Sequence, residues 1–263
     1  MIARSGAGLT AFDLNTADIT VVVLTKNEEL NLSRALESIP SGCCVLVVDA
    51  HSTDRTAAIA RDHGATVVQR DWKGFLDARL FALGQVRTAW TLMLDADEAV
   101  DEQLRASIHA VDADQVAGFV LKRATFFCGK ILRQWAAEKF LRLFVTERVT
   151  LVSHPVTGGA DVQIHERWTT TGPVRELPGL LLHYSYPTVA SYRSKFEAYT
   201  SLEAQSRHPK TGRIPTTGMT AALRFLHAIF FRGGLRDGWR GLYVAFWSAM
   251  YPVVVARKIR YHS

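Results

Sequence analysis

Asp95 and Asp97 close the run WTLMLDADE, residues 90–98. Two carboxylates one residue apart at the end of an apolar strand can hold a hard divalent cation, and such a cation can hold a diphosphate. The same D-x-D pattern also suits an acidic turn or a helix-start cap, because Asp favours both. The segments around it must therefore decide.

Residues 19–25 (ITVVVLT), 45–49 (VLVVD) and 66–69 (TVVQ) are β-branched runs too short for helices, and helical patterns separate them. That alternation predicts an α/β fold with a mostly parallel sheet. In NEELNLSRALESI, the residues Leu32, Ala35, Leu36 and Ile39 fall at i, i+3, i+4 and i+7. The spacing predicts a helix that opens near Asn27 and covers the sheet with one face. Ser52 and Asp54 offer oxygens to start the next helix and Gly64 is placed to end it. Residues 75–87 form a third crossover into the strand that delivers Asp95 and Asp97. Ligands of open α/β sheets bind beyond the carboxyl ends of the strands, where Thr25, Asn27, Glu28, Asp49, Ser52 and the Asp95/Asp97 pair should gather.

At 263 residues and 48% hydrophobic content, the chain can bury one sizeable core with an appendage. Cys43, Cys44 and Cys128 make neither a disulfide framework nor a zinc spacing, which fits a reducing compartment. The first 16 residues include Arg4 and Asp13 and lack a continuous apolar stretch, so a loose tail is expected there rather than a signal peptide. Residues 219–263 carry seven basic side chains and one acid, Asp237, and so hold the whole +6 excess of the chain. In that tail Trp239, Tyr243, Phe246, Trp247 and Tyr251 lie among the basic residues, a composition suited to an anionic membrane surface. Gly241–Ala256 is 16 residues long and contains Pro252, short of the roughly 20 that span a bilayer comfortably. A span and ordinary core helices remain alternatives to interfacial attachment. Nucleic acid is not the expected partner, because Phe230, Phe231 and Val253–Val255 are poor readers of phosphate or groove. Residues 191–208 pattern as an amphipathic helix through Tyr192, Phe196, Tyr199 and Leu202, and PKTGRIPTTG at 209–218 reads as a linker.

Taken together, VVVLTKNEE, VLVVDAHSTDRTAAIARDHGATVV, DWKGFLDARLFAL and WTLMLDADE resemble the inverting family 2 glycosyltransferases of GT-A fold. Within them the chain is most similar to the lipopolysaccharide core glucosyltransferase-like group, whose members also show a later H-E pair and a basic, aromatic C-terminal tail. Lys26 stands where many family members have Tyr, and His51 where a small residue is usual.

The resemblance implies a UDP-sugar donor, a lipid-linked saccharide acceptor and an Mg2+ or Mn2+ cofactor. Asp97 is the expected direct metal ligand, with Asp95 reaching the metal or the ribose. Thr25, Asn27, Glu28 and Asp49 are the candidate nucleotide-sugar contacts, Asp49 accepting from the uracil imide, and Arg79 resembles the family's basic contact to the nucleotide. Glu166, in VQIHERW, resembles the H-E pair and is the candidate general base, with His165 as its orienting neighbour and Asp161 as the fallback. Arg142, in FLRLF, can point at the diphosphate from a half-buried strand or snorkel outward. His183, in LLLHYSY, can face metal or diphosphate, or be a satisfied core histidine. Trp135, near Arg133, can stack an acceptor sugar or simply pack.

The expected organisation is a tail at 1–16, a GT-A domain at 17–190 and a helical membrane-associating region at 191–263. The catalytic domain would divide into a nucleotide-sugar half at 17–115 and an acceptor half at 116–190. The expected activity is transfer of a hexose, glucose above all, by a cytoplasmic protein peripheral to the inner face of the membrane. A polyprenyl-phosphate glycosyltransferase and a catalytically silent membrane-binding protein are the alternatives. A nucleotidyltransferase would open with a glycine-rich phosphate loop, and TKNEEL stands in that place.

Overall fold

The β-branched run at residues 19–25 forms an interior strand of the main sheet in the computed structural model, which describes residues 15–135, 138–153, 166–206 and 218–262. In chain order come β1 (Ile19–Thr25), α1 (Leu32–Ser38), β2 (Cys44–Asp49), α2 (Thr56–Asp62), β3 (Thr66–Gln69), α3 (Phe75–Gln85), β4 (Trp90–Asp95), β5 (Glu98–Val100) and α4 (Glu102–His109). They are followed by β6 (Gly118–Phe127), β7 (Lys130–Ile131), β8 (Glu138–Val145), β9 (Val149–Ser153), β10 (Glu166–Thr170) and β11 (Val174–Tyr186). Three helices, α5 (Val189–Ser206), α6 (Gly218–Phe230) and α7 (Gly238–His262), complete the described chain.

The main sheet runs β3-β2-β1-β4-β8-β6-β11-β5, with β7 paired to β6, while β9 and β10 pair separately. β1 lies parallel to both β2 and β4, whereas β4 meets β8 antiparallel. The chain therefore moves outward from β1 to β3 and then returns to the other side of β1, creating a switch point between β1 and β4. Register sets Thr25 opposite Asp49 and Leu24 opposite Asp95. Three strands thus end level with one another, each presenting a polar residue at its carboxyl end.

The chain divides into two compact units, one of residues 1–122, 139–152 and 167–181, the other of 123–138, 153–166 and 182–263. In the first, alternate β1 residues enter different cores, as they must when both sheet faces are covered. Val21 and Val23 join Leu32, Ala35 and Leu104, whereas Val22 joins Ala82, Met93 and Trp168. Asp101 caps α4 by accepting from the Leu104 amide at 2.7 Å. Glu176 on β11 pairs with Lys122 on β6 and Lys139 on β8, a charge ladder across three neighbouring strands. Those two ammonium groups hold the Glu176 carboxyl below its ordinary range through the hydrogen bonds they donate.

In the second unit, Phe127, Leu132, Tyr192, Phe196 and Val244 form the core, with Trp135, Tyr186 and Trp247 packed against it. Asp237, buried just before α7, accepts the Arg133 amide at 2.8 Å. No helix among the described residues is long and apolar enough to cross a membrane.

Two element boundaries differ from the sequence expectation. The first helix starts at Leu32 rather than near Asn27, because Asn27 adopts a positive φ of 55° and the next amides bond to side chains of the following crossover. The run 90–98 is also not one strand: β4 stops at Asp95, and Glu98 opens β5. Residues 209–217 of the expected linker, and 1–14 of the expected tail, lie outside the described residues.

Candidate functional site

Beyond the carboxyl ends of β1 and β2, two loops are stitched together by side chains. The Asn27 amide donates to Ser52 Oγ at 2.8 Å, the Glu28 amide to Thr56 Oγ1 at 2.8 Å and the Glu29 amide to Asp54 Oδ2 at 3.2 Å. In return, Asn27 Oδ1 accepts the Thr53 amide at 2.9 Å. Short oxygen-bearing residues thus supply what a helix would otherwise give these backbone donors.

Asp49 anchors the arrangement. It is fully buried, and accepts from Thr25 Oγ1 at 3.2 Å, from the Ser52 amide at 3.0 Å and from the Ser52 hydroxyl. A carboxylate has about four acceptor positions, so three donors leave little room for another. Thr25 and Asp49 are buried at the strand ends, whereas Asn27 is exposed and Glu28 partly so.

At the end of β4 the charges are organised around Arg142 on β8. Its Nη2 donates to Asp95 Oδ2 at 2.7 Å and to Glu98 Oε1 at 3.1 Å, and Glu98 Oε2 accepts the Asp95 amide at 3.1 Å. Both Arg142 and Glu98 are buried, so neither charge could persist there without a partner. Burial works against the guanidinium's charge, but Asp95 and Glu98, with Asp97 beyond them, outweigh it and keep Arg142 protonated. Arg79 on α3 approaches Asp95 from the other side, with Nη2 4.0 Å from Oδ1, and its guanidinium lies 5.6 Å from the Phe75 ring centroid. The inward orientation of Arg142 is thereby resolved.

Glu98 was missed from the sequence, although a signal existed. A carboxylate embedded in buried strand residues requires a cation, and Arg142 in FLRLF is another charge embedded in an apolar run.

Asp95 and Asp97 are partly exposed, whereas Ala96 and Glu98 on either side of Asp97 are buried. Two accessible carboxylates fit a hard divalent ion that keeps several waters and takes its remaining ligands from substrate phosphates. Among the described residues no three His, Cys, Asp or Glu side chains are gathered as a complete protein-only metal cage. His183 belongs to the second unit, where its Nδ1 lies 3.3 Å from Thr125 Oγ1. Glu166 is the first residue of β10, while His165 and Asp161 lie outside the described residues.

A family model described as "Glycosyl transferase family 2" matches residues 20–167. The lipopolysaccharide core biosynthesis glycosyltransferase LpsC of Rhizobium meliloti is 29% identical over 255 residues, covering 92% of this chain and 91% of that protein. An uncharacterized glycosyltransferase of Rickettsia typhi is 28% identical over 195 residues, covering 71% and 67% respectively. Among solved structures, the mannosyltransferase PcManGT from Pyrobaculum calidifontis, in complex with GDP-Man and Mn2+, aligns with a TM-score of 0.53 and 14% identity. That alignment covers 94% of this chain and 88% of the other, and shows a shared fold.

Proposed function

Because the chain belongs to glycosyl transferase family 2, we propose that it transfers a hexose, glucose from UDP-glucose, to a lipid-linked saccharide such as a lipopolysaccharide core. The observation that carries this reading is the level ending of β1, β2 and β4, with Asp95 and Asp97 beside Arg79 and Arg142 at the switch point. The similarity to LpsC supports the acceptor class. The shared fold with a mannosyltransferase in complex with GDP-Man and Mn2+ supports a nucleotide-sugar donor.

In the proposed displacement an acceptor hydroxyl attacks the anomeric carbon from the face opposite the diphosphate. The new C–O bond forms as the bond to the β-phosphate breaks, the electron pair leaves with UDP, and the hydroxyl proton passes to the Glu166 carboxylate. Asp97 and Asp95 would hold Mg2+ or Mn2+, which when bound supplies Lewis-acid stabilisation of the leaving diphosphate. Arg79, through its guanidinium, contacts the nucleotide. Arg142 fixes the Asp95 carboxylate and adds positive charge below the phosphates. Asn27 and Glu28 contact the nucleoside, with the buried Thr25 and Asp49 supporting them.

The same proposal places the protein on the inner face of the cytoplasmic membrane. Met219, Leu223, Leu226 and Phe230 fall at i, i+4, i+7 and i+11 along α6, and all are at least 46% exposed. Arg224 lies beside this stripe and Arg232 just beyond it, as expected of a helix lying on anionic lipid.

Nucleotide release from a panel of UDP- and GDP-sugars, measured with Mn2+ and a membrane glycolipid extract, tests the reaction. The expected result is turnover with UDP-glucose that falls by about a hundredfold or more in Asp97→Ala, as removal of transition-state charge stabilisation demands. Glu166→Gln should also abolish transfer while leaving UDP binding intact. A fully active Asp97→Ala enzyme would sink the metal role, and no release from any donor would leave a silent membrane-binding protein.

A further inference from the structure

The second unit contains a cavity of about 210 Å3 that the transfer scheme does not use. Aromatic rings make its walls: Trp135 lies 5.4 Å from Tyr186 and 6.3 Å from Tyr192 between centroids, and Tyr199 and Tyr251 contribute further lining. Arg123, Glu138 and His183 also line it, with Arg123 Nη2 donating to Glu138 Oε2 at 2.6 Å. We propose that this cavity binds one pyranose ring of the acceptor saccharide, an assignment that rests on the glycosyl-transfer reading.

Three properties select that ligand. The volume lies below the roughly 300–1,000 Å3 of drug-sized sites, so it suits one ring better than an extended chain. A pyranose presents an apolar C–H face and a rim of hydroxyl groups that both donate and accept. Aromatic walls complement the first, and a carboxylate, a guanidinium and an imidazole complement the second. Arg123 and Glu138 are moreover paired, so the polar side carries no strong excess of either sign. A neutral polyhydroxyl ligand fits that balance better than an anion or a cation. An acyl chain does not fit, because it would strip water from the ion pair without returning a hydrogen bond.

The rings of Trp135 and Tyr192 belong to the unit's packed interior, so their removal would confuse binding with folding. Tyr199 is 46% exposed and lines the cavity, which makes Tyr199→Ala the cleaner variant, with Glu138→Gln as its polar counterpart.

Saturation-transfer NMR on the full chain, using methyl glucoside, galactoside and mannoside and a delipidated core oligosaccharide, reads ring contact directly. At least one pyranoside should receive saturation from the wild-type protein. Its affinity should fall by about three- to tenfold in Tyr199→Ala, the loss of one aromatic wall, with a further loss in Glu138→Gln. No saturation of any probe, or affinity that survives both substitutions, would overturn the assignment. A UDP thermal-shift titration of the same samples reports separately on the donor reading: ring binding without a UDP response would remove the transferase scheme and leave a sugar site.

Discussion

Replacing Arg142 by methionine takes from buried Glu98 the cation that balances its charge, while the Asp95 amide still donates to it. Breaking a buried pair from one side costs about 3–5 kcal/mol, whereas replacing both charges by packed apolar groups is often neutral. Arg142→Met should therefore lower unfolding stability by about 3–5 kcal/mol in urea, and Arg142→Met/Glu98→Leu should recover most of that loss. Turnover should stay low in both variants, because Asp95 has lost the guanidinium that holds it at 2.7 Å. Recovery of activity with stability would show that Arg142 serves the fold alone. The sequence made the acidic pair and Arg142 legible because charges interrupt apolar runs there. It could not orient Arg142, since that orientation follows from pairing with β4, a strand some fifty positions away.

Helices and strands were legible wherever burial imposed a period. β1 to β4, the three crossovers and the extent of α5 follow from apolar spacing, although Tyr199 of the expected α5 face is exposed and Thr200 is buried instead. The start of α1 does not follow, because Ser52, Asp54 and Thr56 capture amides from a segment 25–28 residues earlier. Gly64 was legible as the end of α2, whereas Gly179 is silent until the fold is known. Gly179 on β11 has φ 101°, and a Cβ there would stand 2.2 Å from the Leu104 amide nitrogen at the start of α4. Gly64 also has a positive φ, of 75°, but nothing lies within 4 Å of where its Cβ would be. Gly64→Ala should cost only about 1–2 kcal/mol for the left-handed backbone. Gly179→Ala should cost roughly 1–3 kcal/mol more for overpacking, and thermal unfolding of the two variants separates the terms. Equal losses would mean that α4 yields without penalty.

Across the whole chain, charge and apolar exposure coincide in one region. Outside residues 219–263 acids and bases balance, and within them lie the +6 excess, the exposed stripe of α6 and the exposed Trp239, Leu242 and Phe246 of α7. The charge excess was plain from sequence, but the face was not. The apolar run after Gly241 suggested the contact, yet Val244, Ala245, Ala249 and Val255 from that run are buried, and the Met219, Leu223, Leu226 and Phe230 side of α6 is exposed instead. Periodicity alone cannot say which side of an apolar helix its neighbours will take. The membrane proposal therefore predicts two separable effects on sedimentation with vesicles containing anionic lipid. Arg224→Ala/Arg232→Ala should weaken binding by about fivefold per charge at low salt, following roughly 1 kcal/mol for each basic residue near the surface. Much of that difference should vanish near 1 M salt, where the screening length is about 3 Å. Leu223→Ser/Phe230→Ser should instead weaken binding at every ionic strength, because it removes buried apolar area and leaves the charge unchanged. Vesicle binding unaffected by the second pair would take the stripe out of the contact. A salt response unchanged by the first pair would assign the attraction to basic residues elsewhere.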